Sequence, residues 1–419
     1  MRFETLGDWL AWQETLYPRP IELGLERVAR VWRALGRGPF RCPVITVAGT
    51  NGKGSCVAFI EALLMAGGHR PCAYTSPHLM RYNERVRIAG HEVENARLIE
   101  AFDRVDRARG ETTLTYFEFG TLAALEVFAA AEPDVLVLEV GLGGRLDAVN
   151  ILDPDVAVIT SIGIDHTDWL GADRGGIARE KAGILRGGHP AVCGEPDPPP
   201  DVAATAADLR VALYRVGHEF DYRETEGGWD WIGPDHRLLA LPPPAVPGGH
   251  QVRNAATALM ALALVGAPLR PAEDAVRAAM NAVRLPGRLQ VMPGAIEVVL
   301  DVGHNAQAAA ALSEALGRMA PRPTHAVAAM LAGKDVGGMV AALAPQIDHW
   351  HVTQAHTARA LARERVAEAL RGAAPEAAIT LWPDVAAALD GARRAVGAGG
   401  RVMVLGSFYT VAEALDAPV

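Results

Sequence analysis

The densest group of chemistry-bearing residues in the chain is Gly49-Thr50-Asn51-Gly52-Lys53-Gly54-Ser55, set between the apolar run Val44–Ala48 and an amphipathic stretch that continues to Ala66. Glycines let a backbone wrap closely around phosphate groups, a helix N-terminus offers free N–H donors, and Lys53 adds a point charge. The order differs from a strict Walker A motif, because Gly54 separates Lys53 from Ser55. The expectation is a phosphate-binding loop, and the plain alternative is a glycine-rich strand-to-helix turn.

Glu139 ends the apolar run Val135–Leu138, where an unpartnered carboxylate would be expensive to bury. A magnesium ion shared with phosphate oxygens would satisfy it, and so would an arginine. The segment that follows, Gly141–Ala148, has enough glycine to let a ligand approach the backbone. His166, in Asp165-His166-Thr167-Asp168, follows another strand and reads as either a metal ligand or a hydrogen-bonded core residue. Lys181 falls inside an apolar helical stripe formed by Ile177, Ala178, Ile184 and Leu185. Such a lysine snorkels, finds an anion, or loses its proton, and a neutral amine can take up carbon dioxide as a carbamate. Further along, Asn254 lies on a helix, Arg288 follows a Pro-Gly turn, Asp301 ends a strand and His304-Asn305 opens a helix. Taken singly, these are ordinary structural residues.

The elements that position these residues alternate. Val44–Ala48, Pro71–Thr75, Val135–Glu139 and Val156–Ser161 read as buried parallel strands. Helical patterns cover Gly54–Ala66, Asn95–Arg109, Tyr116–Ala131 and the region around Asp173–Leu185. Such alternation predicts a doubly wound α/β structure. The polar clusters Gly49–Ser55, Ser76–His78, Glu139–Asn150 and Asp165–His166 all fall where strands end, which is where open α/β sheets bind ligands. Val211–Leu241, between proline-rich connections, reads as a small antiparallel insertion. The alternation restarts after Leu285-Pro286-Gly287-Arg288, with strands at Ile296–Val302, His325–Leu331, Trp350–Gln354, Ile379–Trp382 and Arg401–Leu405. Two domains are expected, 1–285 and a smaller Rossmann-like 286–419.

Composition bounds the function. A net charge of −9 over 419 residues argues against a nucleic-acid binder. Four scattered cysteines with no C-x-x-C pair fit a reducing compartment. The start, MRFETLGDWLAW, is no signal peptide, and the apolar stretch Thr257–Leu269 is too short for a bilayer. A soluble, cytoplasmic protein with no membrane partner is expected.

Taken in order, IELGLERV, GTNGKGS, TSPHLMRYNERVRI, LTYFEFGTLAAL, LEVGLGGRLDAVN, SIGIDHTDWLG, REKAGI, LPGRLQ, DVGHN and LGSFYTVAEAL closely resemble the bacterial dihydrofolate synthase/folylpolyglutamate synthase family, part of the Mur ligase superfamily. The resemblance covers nearly the whole chain and implies a Mur-ligase-like α/β fold, ATP and Mg2+ as cofactors, small-molecule substrates and a monomer. It implies an ATP-dependent ligase that adds L-glutamate to dihydropteroate and to reduced folates through an acyl phosphate. Under it, Thr50, Asn51, Gly52, Lys53, Gly54 and Ser55 cradle the ATP phosphates, while Asn254, Arg288 and Asp301 grip the nucleotide. Ser76, Glu139, His166 and a carbamylated Lys181 match the metal ligands, with Lys53, His166 and Lys181 serving catalysis. Thr115, Tyr116, Phe117 and Glu118, with Leu146, Asp147 and Ala148, match pterin-binding segments, and His304 and Ser407 lie near the expected glutamate. Ala148 leans to the bifunctional form, since synthases confined to folylpolyglutamates tend to have serine there. A folylpolyglutamate-only enzyme and another Mur-type amide ligase are the alternatives. DVGHN stands where DVAHN is commoner.

Overall fold

The computed structural model describes residues 1–19 and 21–417. They form two compact units. The first comprises Met1–Gly163, Leu170–Pro244 and Val252–Val283, and the second Ile164–Trp169, Ala245–Gln251 and Arg284–Val419.

Eight strands build the main sheet of the first unit: β1 (Val44–Ala48), β2 (Pro71–Tyr74), β3 (Val86–Ile88), β4 (His91–Glu92), β5 (Val135–Glu139), β6 (Val156–Ile159), β7 (Ala191–Cys193) and β8 (Leu213–Arg215). Their spatial order is β4-β3-β2-β5-β1-β6-β7-β8. From β2 to β8 the pairing is parallel, and the antiparallel pairs are β2–β3 and β3–β4. Every residue of β1 and β5 is buried, as expected of strands covered on both faces. On one side Leu136 and Leu138 join Trp9, Phe102, Phe119 and Leu122 in a large aromatic core. Ala157 and Ile159 pack with Ile177, Ala178 and Ala182. The helix Lys53–Ala66 lies against β1, β2 and β5 and against the helix Glu273–Ala282.

The antiparallel insertion is smaller than the span Val211–Leu241 suggests. It contains β9 (Asp221–Thr225), β10 (Gly228–Ile232) and β11 (Arg237–Leu241), whereas β8 pairs in parallel with β7 and extends the main sheet. Trp229 and Trp231 anchor it through their indole N–H groups, which donate to Pro242 O at 3.0 Å and Ala256 O at 3.1 Å.

The second unit holds β12 (Gln290–Met292), β13 (Glu297–Asp301), β14 (Thr324–Ala328), β15 (His349–Val352), β16 (Ala378–Leu381) and β17 (Arg401–Leu405). Their order is β12-β13-β17-β14-β15-β16, parallel except for β12. Its core gathers Val299, Met403, Leu405 and Trp350 with Leu312, Val340, Leu343 and Leu370 from the covering helices.

Three histidines stack across β14 and β15. The rings of His349 and His351 are 4.6 Å apart, and His325 lies 5.2 and 5.3 Å from them. The indole of Trp382 can only donate, so its 3.0 Å bond to His351 Nδ1 places the His351 proton on Nε2. That nitrogen stands 3.1 Å from His325 Nδ1, so the chain of bonds runs Trp382 to His351 to His325 with every ring neutral. Burial first, and its histidine neighbours second, push His351 down to about 4. Among the described residues no helix is long and apolar enough to cross a membrane.

Candidate functional site

In the first unit the sheet order brings four loops to one edge, because β2, β5, β1 and β6 are consecutive neighbours running the same way. The loop after β1 is held by the loop after β6. Thr50 N–H donates to Ser161 O at 2.8 Å, and Asn51 N–H to Ser161 Oγ at 2.9 Å. Thr50 Oγ1 donates to Gly163 O at 3.0 Å, and Thr160 Oγ1 to Asn51 O at 2.7 Å. These bonds tie down the flanks of the loop. Lys53 Nζ folds back on Gly49 O and Thr50 O, at 3.0 and 3.2 Å.

Gly52 caps the helix Lys53–Ala66 at φ 80, a left-handed conformation that suits glycine. A Cβ there would fall 2.8 Å from Asn254 Oδ1, so the expected nucleotide residue Asn254 does sit against the phosphate loop. The helix has no side-chain cap and no acid in its first turn. Its N-terminus therefore faces the loop with the polarity that receives an anion.

Glu139 is buried, and its Oε2 accepts Ser76 N–H at 3.0 Å. A methyl on Gly54 would be 3.6 Å from the same oxygen. Ser76, Glu139 and the Gly49–Ser55 loop are thus one cluster, and its buried carboxylate beside an anion-receptive helix end suits a hard cation shared with phosphate oxygens. Among the described residues no three His, Cys, Asp or Glu side chains converge to hold a metal on their own.

Lys181 does not snorkel. It is 3% exposed, in the last turn of the helix Arg174–Ala182. The loop after β5 presses on that turn. Arg145 N–H donates to Glu180 O at 2.9 Å, and a Cβ on Gly144 would sit 3.0 Å from Lys181 O. The glycine-rich loop and the buried lysine are therefore packed together.

The expected pterin segments also meet here. Thr115 and Glu118 form a reciprocal cap on the helix Tyr116–Ala131, with Thr115 N–H donating to Glu118 Oε2 at 2.8 Å and Glu118 N–H to Thr115 Oγ1 at 3.2 Å. Arg27 reaches Glu118 Oε1 at 2.8 Å. Phe117 fills the space beside Gly141, where a Cβ would come within 2.6 Å of the ring. Asp147 is buried and caps the turn Ala148–Ile151, accepting from Leu142 N–H at 2.8 Å and Val149 N–H at 3.0 Å. Burial raises its carboxyl to about 6, against those N–H groups and the charge of Lys53. Leu146 O accepts Gly24 N–H at 3.2 Å, and Ala148 is buried.

Sequence reasoning overlooked a neighbour of this cluster. Arg85 donates to His78 Nδ1 at 2.8 Å and lies over the rings of Tyr82 and Tyr116. Burial, then Arg85, lowers His78 to about 4, so that imidazole is neutral and accepts. Its signal was the dense aromatic and cationic run His78–Arg85.

The remaining candidates lie in the second unit. Asp301 ends β13 and accepts from Leu289 N–H at 2.8 Å and Gly303 N–H at 2.7 Å. Burial raises its carboxyl, against the charge of Arg288, whose guanidinium stands 5.4 Å from the Phe408 ring. Ser407 is buried and caps the helix Phe408–Asp416, its Oγ accepting Thr410 N–H at 3.0 Å. His304 Nδ1 is 3.0 Å from Val302 O, and burial lowers it to about 4. His166 adopts φ 52, and its N–H donates to Asp165 Oδ1 at 2.7 Å. Lys334 escaped notice in the sequence, yet its Nζ meets Asp165 Oδ1 at 2.5 Å with both side chains nearly buried. Burial alone would raise Asp165, but His166, Lys334 and His304 together hold it well below the carboxylate range. A lysine directly after the β14 loop was the available clue.

Known proteins match nearly the whole length of the chain. Residues 47–262 match the Mur ligase middle domain, and 287–408 match the Mur ligase glutamate ligase domain. The chain is 43% identical over 418 residues to the dihydrofolate synthase/folylpolyglutamate synthase of Escherichia coli, covering 98% of this chain and 95% of that one. The solved E. coli FolC in complex with DHPP and ADP superimposes with a TM-score of 0.93 at 42% identity, covering 99% and 97% of the two chains. A bifunctional folylpolyglutamate synthase/dihydrofolate synthase with Mn, AMPPNP and L-glutamate bound superimposes at 0.91 and 43% identity, covering 99% and 98%.

Proposed function

Because the chain belongs to the dihydrofolate synthase/folylpolyglutamate synthase family of Mur ligases, we propose that it joins L-glutamate to dihydropteroate and to reduced folates at the expense of ATP. The observation that carries this reading is the cluster of the Gly49–Ser55 loop, Asn254, Ser76 and Glu139 at one sheet edge. The buried Asp147 and the Thr115–Glu118 cap lie on loops and a helix that serve the same unit.

Under this reading the pterin-linked carboxylate attacks the γ-phosphorus of ATP, the bond to the β,γ-bridging oxygen breaks, and ADP leaves with that electron pair. The acyl phosphate then accepts the glutamate amine at its carbonyl carbon, the nitrogen loses a proton, and phosphate departs. Lys53 and the N–H groups that begin the helix Lys53–Ala66 offset charge on the phosphoryl oxygens. When bound, Mg2+ would supply further charge neutralisation there, with Ser76 and Glu139 to hold it in this unit and His166 as the further ligand. Lys181 as a carbamate, Asn254, Arg288 and Asp301 on the nucleotide, and His304 and Ser407 toward glutamate complete the assignment. The same reading gives a nucleotide- and pterin-binding part before Pro286, a glutamate-ligase part after it, and a cytoplasmic monomer.

Phosphate release from ATP and magnesium, with glutamate plus either dihydropteroate or tetrahydrofolate, tests it. Turnover with both acceptors is expected, in keeping with Ala148. Turnover with tetrahydrofolate alone would make the chain a folylpolyglutamate synthase, and turnover with neither would overturn the substrate class.

A further inference from the structure

The segment Ile164–Trp169 belongs to the second unit, although the chain on either side of it belongs to the first. Packing does little to fix it, since Ile164 and Trp169 are 54% and 43% exposed. Its anchor is Asp165, whose side chain is nearly buried. Oδ1 accepts from Lys334 Nζ at 2.5 Å and from His166 N–H at 2.7 Å. Oδ2 accepts from Asn305 Nδ2 at 3.0 Å and lies 3.6 Å from His304 Nε2. Asn305 and His304 follow β13 and Lys334 follows β14, strands that sandwich β17, so one carboxylate ties the segment to two separate loops. The next residue in the chain is His166, held at φ 52 with its own N–H on the same carboxylate.

We propose that Asp165 is a positioning residue, which by clamping Lys334, Asn305 and His304 fixes the backbone of the segment and so sets the place from which His166 reaches a divalent cation. This rests on the reading of His166 as a metal ligand. Groups that orient a ligand without touching the metal set its affinity by about ten- to a hundredfold. An ion pair that served stability alone would leave metal affinity untouched once the protein is folded.

The test uses the full chain, with Mn2+ titrated in the presence of AMPPNP and free Mn2+ read by electron paramagnetic resonance, so that no turnover is needed. Melting curves confirm that each variant is folded. Asp165→Asn is expected to weaken Mn2+ binding by about tenfold, and the double variant with His166→Ala to bind no more weakly than His166→Ala alone, because Asp165 acts through that ligand. Asn305→Ala, which removes one donor to Asp165 and the N-cap of the helix Ala306–Arg318 but leaves the ion pair, serves if Asp165→Asn does not fold, and it should move affinity in the same direction. Wild-type Mn2+ affinity in a folded Asp165→Asn or Asn305→Ala variant, or full additivity with His166→Ala, would overturn the proposal. Wild-type affinity in His166→Ala itself would instead overturn the ligand reading beneath it.

Discussion

Replacing Gly52 with alanine should weaken nucleotide binding as well as the fold. The residue sits at φ 80, and an added Cβ would lie 2.8 Å from Asn254 Oδ1. Placing a non-glycine in the left-handed region costs about 1 kcal/mol. Pushing the Asn254 amide off its preferred rotamer adds about another 1 kcal/mol. The backbone strain is borne by the fold with or without nucleotide, so the displaced amide alone falls on binding, and affinity for AMPPNP drops by about fivefold. Gly68→Ala supplies the matched control, because Gly68 has φ 83 and nothing within 4 Å of its Cβ position. It carries the same backbone strain, and the same gain from a stiffer unfolded chain, without touching the loop. Calorimetric titration of AMPPNP with magnesium, alongside melting curves for both variants, separates the two effects. Equal AMPPNP affinity in Gly52→Ala and wild type, or an equal loss in Gly68→Ala, would refute the reasoning.

Lys53→Ala should abolish ligation with the fold retained, read as phosphate release against melting temperature. Normal turnover would remove Lys53 from the phosphate site. Ser407→Ala should lower stability by about 1 kcal/mol by uncapping the helix Phe408–Asp416. A rise in KM for glutamate with melting unchanged would place that hydroxyl on substrate instead. The neutral His351 should make the chain acid-sensitive. His351 has a folded pKa of about 4 against 6.5 unfolded, so the unfolded chain binds more protons between those values and stability falls as pH drops through that window. His351 is buried, so the loss is about 3 kcal/mol, and His351→Phe should flatten the pH dependence of denaturant midpoints. An equally steep profile in that variant would exclude His351 as its source.

Much of the fold could be read before any coordinates. Val135–Glu139, Arg401–Leu405, Asn95–Arg109 and Tyr116–Ala131 appear with the expected bounds, because long buried runs and long amphipathic ones carry strong periodicity. The shortest strands were harder. His91–Glu92, Ala191–Cys193 and Leu213–Arg215 are two or three residues long, too short for any period, and their strand character comes from the neighbour they pair with. The helix after the phosphate loop starts at Lys53, one residue earlier than the glycine pattern suggests. At the site, residue type marked Glu139 and the glycine loop, since both violate their surroundings. Lys334 and Arg85 did not stand out, because an isolated cation in an arginine-rich chain signals nothing until its partners, Asp165 and His78, are brought to it from elsewhere. Lys181 shows the converse. Its place in an apolar stripe was visible, but only packing against the Gly144 loop decides that it is buried.

The phosphate loop is synthesised well before the surface that shapes it. Its bonds to Ser161 and Gly163 close over 110 and 113 residues of intervening chain. At about 5–20 residues per second, a ribosome needs on the order of ten seconds to make that stretch. During this interval β1 has neither flanking neighbour, since β5 and β6 both come later. On the proposed nucleotide role of this loop, cellular nucleotide, which stabilises only a conformation able to bind it, gains no grip on the nascent first unit until residue 163 has left the exit tunnel. A glycine-rich, uncapped helix start must wait unfolded or guarded until then. Truncated chains ending before Val156 should therefore be cleaved faster by added protease, and added ATP analogue should protect only chains that extend past Gly163.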